Sequence, residues 1–401
     1  MKDFNSRLSA DERVRVLMIT GIYLPECNGA VIQCSQLMAR LKQSINFSVL
    51  TGTNNFAAAG SECIDGIAVC RVYMPRGRIF KYIIGGAKFY LALLRSLAKV
   101  DLVHFHGYSK RNALAMVICR LLRKSILIKM TSFGYDDPLS VKRGGILYWM
   151  AFKCSNAYIG LSPAFQSSYQ FAGMPKNLYF NISNGVDLTR YAPVSANKRE
   201  ALRETYKFAL NDKLIIFVGH FSDEKQPLLL YKAWIRLLQL KIDVKLLFIG
   251  RTKEHFEVNG EIIKIIKADA IRRGVLQLIH FIEETSHVHE YMQIADIFVL
   301  PSLREGMPNV LLEAMACELP CVVKFIPSIT DFLIDDNITG NLFYRDDANE
   351  LAKKISYLIT EHESGKKMGS AARKFIENNF SIDLTSKKLF EVYKEILEIS
   401  T

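Results

Sequence analysis

Short apolar runs alternate along this chain with longer stretches whose apolar positions recur every three or four residues. Such runs read as buried strands, and the longer stretches as helices with one apolar face. In the first half, strands are predicted at Val14–Thr20, Phe47–Thr51, Ala68–Tyr73, Leu102–Phe105, Ser125–Met130, Ala157–Leu161 and Leu178–Ile182. Helices are predicted between them at Ala30–Gln43, Tyr82–Lys99, Asn112–Leu122 and Ile146–Cys154. Continuous apolar strands separated by helices imply parallel sheets covered on both faces.

The pattern then starts again. Leu214–Val218, Val244–Ile249, Leu276–Phe281, Ile297–Leu300 and Cys321–Val323 read as strands of a second sheet, with helices at Leu228–Leu240, Glu257–Arg273, Asn309–Cys317 and Asn349–Thr360. Ser183–Asp187, followed by Tyr191-Ala192-Pro193, has turn chemistry and is the best linker candidate. The expected architecture is α/β, with two doubly wound Rossmann-like domains over 1–192 and 193–380. A C-terminal helix, 381–401, is expected to return towards the first domain. Such sheets take ligands beyond the carboxyl ends of their strands, so a cleft between the domains is the expected site.

Composition adds a charge asymmetry. The net charge is +12, and residues 1–195 hold 24 Lys/Arg against 10 Asp/Glu, whereas 196–401 hold 28 against 30. A basic first half points to an anionic partner or simply to solubility charge. The eight cysteines form no C-x-x-C pair and several lie in apolar runs, as buried thiols of a reducing compartment do. The opening MKDFNSRLSADERVRVLMIT lacks the apolar core of a signal peptide, and Lys88 and Arg95 interrupt the most apolar later segment. The expected location is cytoplasmic, with membrane association left open.

Several chemistries have no motif here. No G-x-G-x-x-G follows a predicted strand, and G-x-x-x-x-G-K-[S/T], G-x-S-x-G and D-x-D are missing. His287-x-His289 near Glu283, Glu284 and Glu290 imitates a metal cluster but sits in a polar helix start, and no metal site is assigned.

The informative segment is ADIFVLPSLREGMPNVLLEAMACELPCVV, residues 295–323. A strand runs through a Pro-Ser turn into a loop carrying Glu305, then into a helix carrying Glu313. The amides of Met307, Asn309, Val310 and Leu311 are expected to form a helix N-terminus suited to a diphosphate. Two carboxylates beside it would serve to hold hydroxyls.

This segment resembles the signature of the GT-B-fold retaining glycosyltransferases of family 4, which move sugars from nucleotide-sugar donors. Phe217-Val218-Gly219-His220, Glu224-Lys225, Phe248-Ile249-Gly250, Val299–Ser302 and Gly340–Phe343 extend the likeness over the second half. The Pro25–Ala30 loop, His104–Gly107 and Asn184–Asp187 support it in the first. The resemblance implies that Glu305 lies against the donor sugar and Glu313 binds the ribose, with Gly306, Met307, Pro308 and Asn309 lining the donor site. It implies that Lys225 neutralises the diphosphate. His220 stands where an arginine is usual, so either Lys225 and the helix amides suffice or His220 is charged with donor bound. Gly29 occupies the place of a glycine-rich turn near the phosphates. His106 is expected to face the transferred sugar, and His104, on the same strand face, to be a packed core residue. Thr131–Gly134 departs from the usual His-Gly, leaving Ser132 without a role.

The implied activity is a retaining, metal-independent hexosyl transfer without a cofactor, from a nucleoside-diphosphate-sugar to a glycan or lipid-linked acceptor. Cell-surface polysaccharide synthesis is the expected setting. The competing readings are a nucleotide-sugar epimerase and a basic nucleic-acid binder; no nucleic-acid motif is present. Met74–Lys99, basic and aromatic, suits an anionic membrane surface and equally a core helix with a solvated basic face.

Overall fold

A computed structural model describes residues 13–75, 79–252 and 258–400, with the backbone alone at residues 79, 81, 399 and 400. Arg76 and Arg78 of the basic stretch, and Glu257 at an expected helix start, lie outside the described residues. The chain forms two units, one of residues 1–185 with 382–401 and one of residues 186–381.

The first unit contains β1 (Val14–Thr20), α1 (Gly29–Leu41), β2 (Ile45–Thr53), β3 (Gly60–Ile64), β4 (Ile67–Tyr73), α2 (Ile79–Leu97), β5 (Leu102–His106), α3 (Lys110–Leu121) and β6 (Ser125–Lys129). It continues with α4 (Pro138–Arg143), α5 (Ile146–Phe152), β7 (Ala157–Gly160), α6 (Pro163–Phe171) and β8 (Tyr179–Asn181). Its sheet runs β3-β4-β2-β1-β5-β6-β7-β8. All pairs are parallel except β3 with β4. The connections reverse direction at β1, so the switch point lies between β1 and β5. Every residue of β5, β6 and β7 is buried, as their apolar runs require.

The β3–β4 hairpin is absent from the sequence reading. Its two-residue turn places Asp65 at φ 51° and Gly66 at φ 83°, the left-handed pair a tight hairpin needs. β3 buries nothing, so no apolar run announces it.

The helix at Ile382–Ser400 completes this first unit. Its Ile382, Leu389, Val392, Tyr393 and Ile396 join the core formed with α1 and the central strands. Tyr393 also donates or accepts a 2.6 Å hydrogen bond with His104 Nδ1.

The second unit contains α7 (Ala196–Thr205), β9 (Leu214–Val218), α8 (Pro227–Gln239), β10 (Lys245–Ile249), α9 (Gly260–Arg272), β11 (Ile279–Ile282) and α10 (Val288–Ile294). It ends with β12 (Ile297–Leu300), α11 (Asn309–Ala316), β13 (Cys321–Lys324), β14 (Asn341–Phe343), α12 (Ala348–Thr360) and α13 (His362–Asn379). The wholly parallel sheet runs β11-β10-β9-β12-β13-β14, with its switch point between β9 and β12. The expected strand at Leu276 starts only at Ile279, because Leu276–Leu278 forms a 3₁₀ turn.

Both units are therefore doubly wound Rossmann-like domains. Two glycines finish β9 and β10 in the second. Gly250, at φ +155°, lies so close that a Cβ there would stand 2.1 Å from the Gly219 carbonyl oxygen. That contact admits no side chain and fixes the turn leaving β9.

Candidate active site

In the second unit, the turns after β9 and β12 leave adjacent strands at the switch point, and side chains on them meet. Lys225 Nζ stands 2.6 Å from Glu305 Oε1. The carboxyl group is 8% exposed and the lysine 25%. A charge pair half withdrawn from water is held more firmly than a surface one. Next to it, Arg304 grips Glu224 through Nη2 at 2.8 and 2.7 Å. The Leu303 amide donates to the Glu224 carbonyl at 2.8 Å. The dipeptides Glu224-Lys225 and Arg304-Glu305 are thus laced together by two opposite ion pairs and a backbone bond. Half-buried His220 sits on the same turn as Lys225.

Gly306, Met307 and Pro308 lead from Glu305 into α11. Pro308 occupies the N-cap, and no side chain caps the helix. The set of exposed amides is smaller than the sequence implies. Leu311 is fully buried and its amide donates to the Pro308 carbonyl at 3.0 Å, Met307 is buried too, and Asn309 and Val310 are part-exposed residues at the start of the helix. The shortfall follows from a tight first turn, which engages the third amide locally.

Glu313, one turn inside α11, is buried. Burial pushes its pKa up to about 7, against the opposing pull of a hydrogen bond from Tyr191 and the charge of Arg190. It is therefore a carboxyl group poised to exist in either form near neutrality. Tyr191 is also buried, and its backbone is fixed by Arg373 Nη1 donating to its carbonyl at 2.7 Å. The expected linker residue Tyr191 thus belongs to the second unit's polar interior. His289 faces Arg190 Nε at 3.4 Å.

In the first unit, His106 ends β5 in register with Thr20 of β1 and Lys129 of β6. It is 4% exposed, buried beside the Ala30 backbone at the start of α1. Burial, then the neighbouring Lys129 charge, drop its pKa to about 3, so the ring is neutral at physiological pH. His104, 5.6 Å away ring to ring, is the packed residue held by Tyr393. Gly29 opens α1 at an exposed position, behind the Asn28 N-cap. The Ser132 amide donates to Asp136 Oδ1 at 2.8 Å. Buried Asp136 also takes the Thr131 amide at 2.7 Å, organising this turn from within.

The surroundings of four residues escape the sequence reading. Arg304 and Glu224 are signalled only by facing dipeptides of reversed charge. Tyr191 was legible as a turn but not as a partner of Glu313. Lys129 looks like a strand residue that should reach solvent, yet it is 1% exposed and its Nζ has no partner.

Comparison with known proteins shows what the chain is similar to. Residues 198–375 match the family model described as glycosyl transferases group 1. The capsular polysaccharide biosynthesis glycosyltransferase CapM of Staphylococcus aureus is 26% identical over 264 residues, covering 64% of this chain and 66% of CapM. The glycosyltransferase YtcC of Bacillus subtilis, named putative, is 30% identical over 224 residues, 54% of each chain. Those matches span between about half and two thirds of the relatives' own length. Among solved structures, Anabaena HepE in complex with UDP and glucose has a TM-score of 0.78 at 18% identity, covering 96% of this chain and all of HepE. Sucrose-phosphate synthase from Thermosynechococcus elongatus gives the same TM-score and identity over 96% of this chain.

Proposed function

We propose, from a second unit that is a glycosyl transferases group 1 domain in a chain of GT-B fold, that this protein transfers a hexose-type sugar from a nucleoside-diphosphate-sugar to a hydroxyl acceptor. The acceptor on this reading is a glycan or a lipid-linked saccharide in polysaccharide assembly, the setting named for CapM. The observation that carries the reading is the Lys225–Glu305 pair at the switch point between β9 and β12. A cation and a buried carboxylate side by side are what a diphosphate joined to a polyhydroxyl ring requires.

The demanding step is departure of the nucleoside diphosphate while charge grows on its leaving oxygen. Lys225 and the first amides of α11 stabilise that charge, and His220 adds a donor from the same turn. Glu305 accepts hydroxyls of the sugar, and ionised Glu313 accepts those of the ribose. The acceptor hydroxyl attacks from the leaving-group face and gives its proton to the departing phosphate, which retains configuration. No metal is assigned, since the charge is met by the chain's own groups.

Thermal unfolding with UDP, GDP and ADP, followed by acceptor screening with the matching sugar donors, tests the reading. One nucleoside diphosphate should raise the midpoint. Free nucleoside diphosphate should accumulate only when acceptor is present, with or without a chelator. Release without acceptor consumption, or sugar inversion with no release, would replace transfer with hydrolysis or epimerisation.

A further inference from the structure

Separate stretches of the second unit converge on the Glu313 carboxyl group: the segment 187–191, α11 and α13. Glu313 and Tyr191 are each 7% exposed, and the Tyr191 hydroxyl donates a hydrogen bond to the carboxyl group. The Tyr191 backbone is fastened to the same helix. Arg373 of α13, with its side chain 13% exposed, donates from Nη1 to the Tyr191 carbonyl at 2.7 Å and to the Ala316 carbonyl at 2.6 Å. Ala316 ends α11 and sits three residues beyond Glu313, on the same helix face. One guanidinium nitrogen thus pins Tyr191 to the turn that carries the carboxyl group. Arg373 is itself held, its Nε donating to Glu377 at 2.6 Å. Gly369, one turn earlier, lets α13 approach so closely that a Cβ there would collide with the Glu318 carbonyl. From other sides, the Arg190 guanidinium lies over the Tyr191 ring at 6.0 Å and the His289 ring meets it edge-on at 6.1 Å. A ring bracketed in this way, on a backbone tied to α11, holds its hydroxyl in one place.

An ionised carboxylate offers about four lone-pair sites, and Tyr191 takes one of them. The others suit two adjacent hydroxyls of a single ring. Burial, reinforced by the Glu313 charge, keeps the Tyr191 hydroxyl protonated, so it remains a donor. Burial favours the neutral form of Glu313, and the Tyr191 hydroxyl works against that by bonding to the ionised form. Around the carboxyl group stand Tyr191, Arg190 and Cys317, with Arg373 beside Cys317 and His289 beside Arg190. The buried thiol stays neutral. Arg190 spends its guanidinium on the Ser286 carbonyl and on His289 Nδ1, and acts on Glu313 through charge alone. We infer that Tyr191 is a positioning residue at the nucleotide end of the donor site. It aims the Glu313 carboxylate at the vicinal hydroxyls of a ribose, which gives the site a preference for ribonucleotides over 2′-deoxyribonucleotides. The inference rests on the reading of Glu313 as the ribose acceptor and adds the residue on which that role depends.

Titration calorimetry of the full chain tests it, with UDP, GDP and ADP each set against its 2′-deoxy counterpart. In the unaltered protein one ribonucleotide should bind about tenfold tighter than its deoxy form at about pH 8, and Glu313→Gln should remove most of that preference. Tyr191→Phe keeps the ring and its bracket while deleting the hydroxyl. It should cut the preference to about threefold. It should also move the rise in ribonucleotide affinity to higher pH, because the carboxyl group then ionises later. The thermal midpoint without nucleotide should stay near the unaltered value, which separates lost aim from lost fold. Arg373→Lys, which loosens the bracket and leaves the hydroxyl in place, should lower the preference in the same direction. In a Glu313→Gln background Tyr191→Phe should change nothing further, because Tyr191 acts through Glu313. A Tyr191→Phe protein with unchanged preference and unchanged pH profile overturns the inference and leaves Glu313 in its role. A further loss in the Glu313→Gln background also overturns it, by assigning Tyr191 a direct contact with the nucleotide. Absence of binding by all six nucleotides, or a Glu313→Gln protein that keeps the full preference, takes down the reading of Glu313 and the inference with it.

Discussion

Glu305 and Lys225 lie 80 positions apart in the sequence and 2.6 Å apart in the fold. Replacing Glu305 with Ala strands a part-buried lysine and removes the sugar's acceptor. Transfer should fall by about a thousandfold or more, while Lys225→Ala should chiefly raise the donor requirement; steady-state kinetics separate the two. Glu313 gives a pH signature. Its pKa of about 7 means that donor affinity should rise as pH climbs from 6 to 8 and the carboxyl ionises; titration calorimetry should show Glu313→Gln flat across that range. Lys129 makes the opposite kind of prediction. Burial lowers its pKa from 10.5 to about 8, so the folded form resists its proton and the chain loses stability as pH falls towards 8. Below that the penalty is complete, on the order of 3 kcal/mol. Lys129→Met should therefore raise the thermal midpoint at pH 7 and flatten its dependence between pH 8 and 10. Glu305 and Glu313 stand out in the sequence because loop and helix positions follow from local pattern, whereas Lys225 is singled out only by the family resemblance. The sequence hides Tyr191 and Lys129, whose surroundings come from distant segments.

Elements were legible where apolar runs were long. Val14–Thr20, Leu214–Val218 and Ile297–Leu300 coincide with β1, β9 and β12, because centrally buried strands leave little choice of boundary. Elements without a long apolar run were not: β3 is almost wholly exposed, and α4, α6, α7 and α13 are short or interleave their buried positions with polar ones and escape the same pattern. The tight first turn of α11 shows a finer limit, since the engagement of the Leu311 amide depends on local geometry that spacing does not encode. The two turns at the switch point act as one element through Arg304 and Glu224. Their side chains are 32% and 49% exposed, so the pair contributes under about 1 kcal/mol to folding. Arg304→Ala should leave the thermal midpoint nearly unchanged yet lower kcat/KM about tenfold by loosening the Glu305 turn. A double-mutant cycle with Glu224→Ala should show that the two losses are not additive.

At the scale of the molecule, the first unit is built from two separate stretches of chain. The helix Ile382–Ser400 (α14) supplies Leu389, 1% exposed, to the core around α1. Leu389→Ala should cost about 2–5 kcal/mol. Calorimetry should show that loss in the first unit's transition, while the nucleotide-stabilised transition of the second stays in place. Two doubly wound sheets were legible because alternating strands and helices appear twice. Which unit each long helix joins is settled by core packing that no local pattern records.

The crossings between the two units have a temporal consequence. Val186 donates to the Phe380 carbonyl at 2.8 Å, so the chain leaves and re-enters the first unit at neighbouring points, and residues 186–381 form an insertion within it. On the ribosome the insertion is made before α14. At about 5–20 residues per second its synthesis takes roughly 10–40 s. Throughout that interval the nascent first unit shows the apolar face that α14 will close. Vectorial synthesis thus leaves the earlier-made unit incomplete until the later-made one has emerged, and a chaperone that shields that face should improve the yield of folded protein.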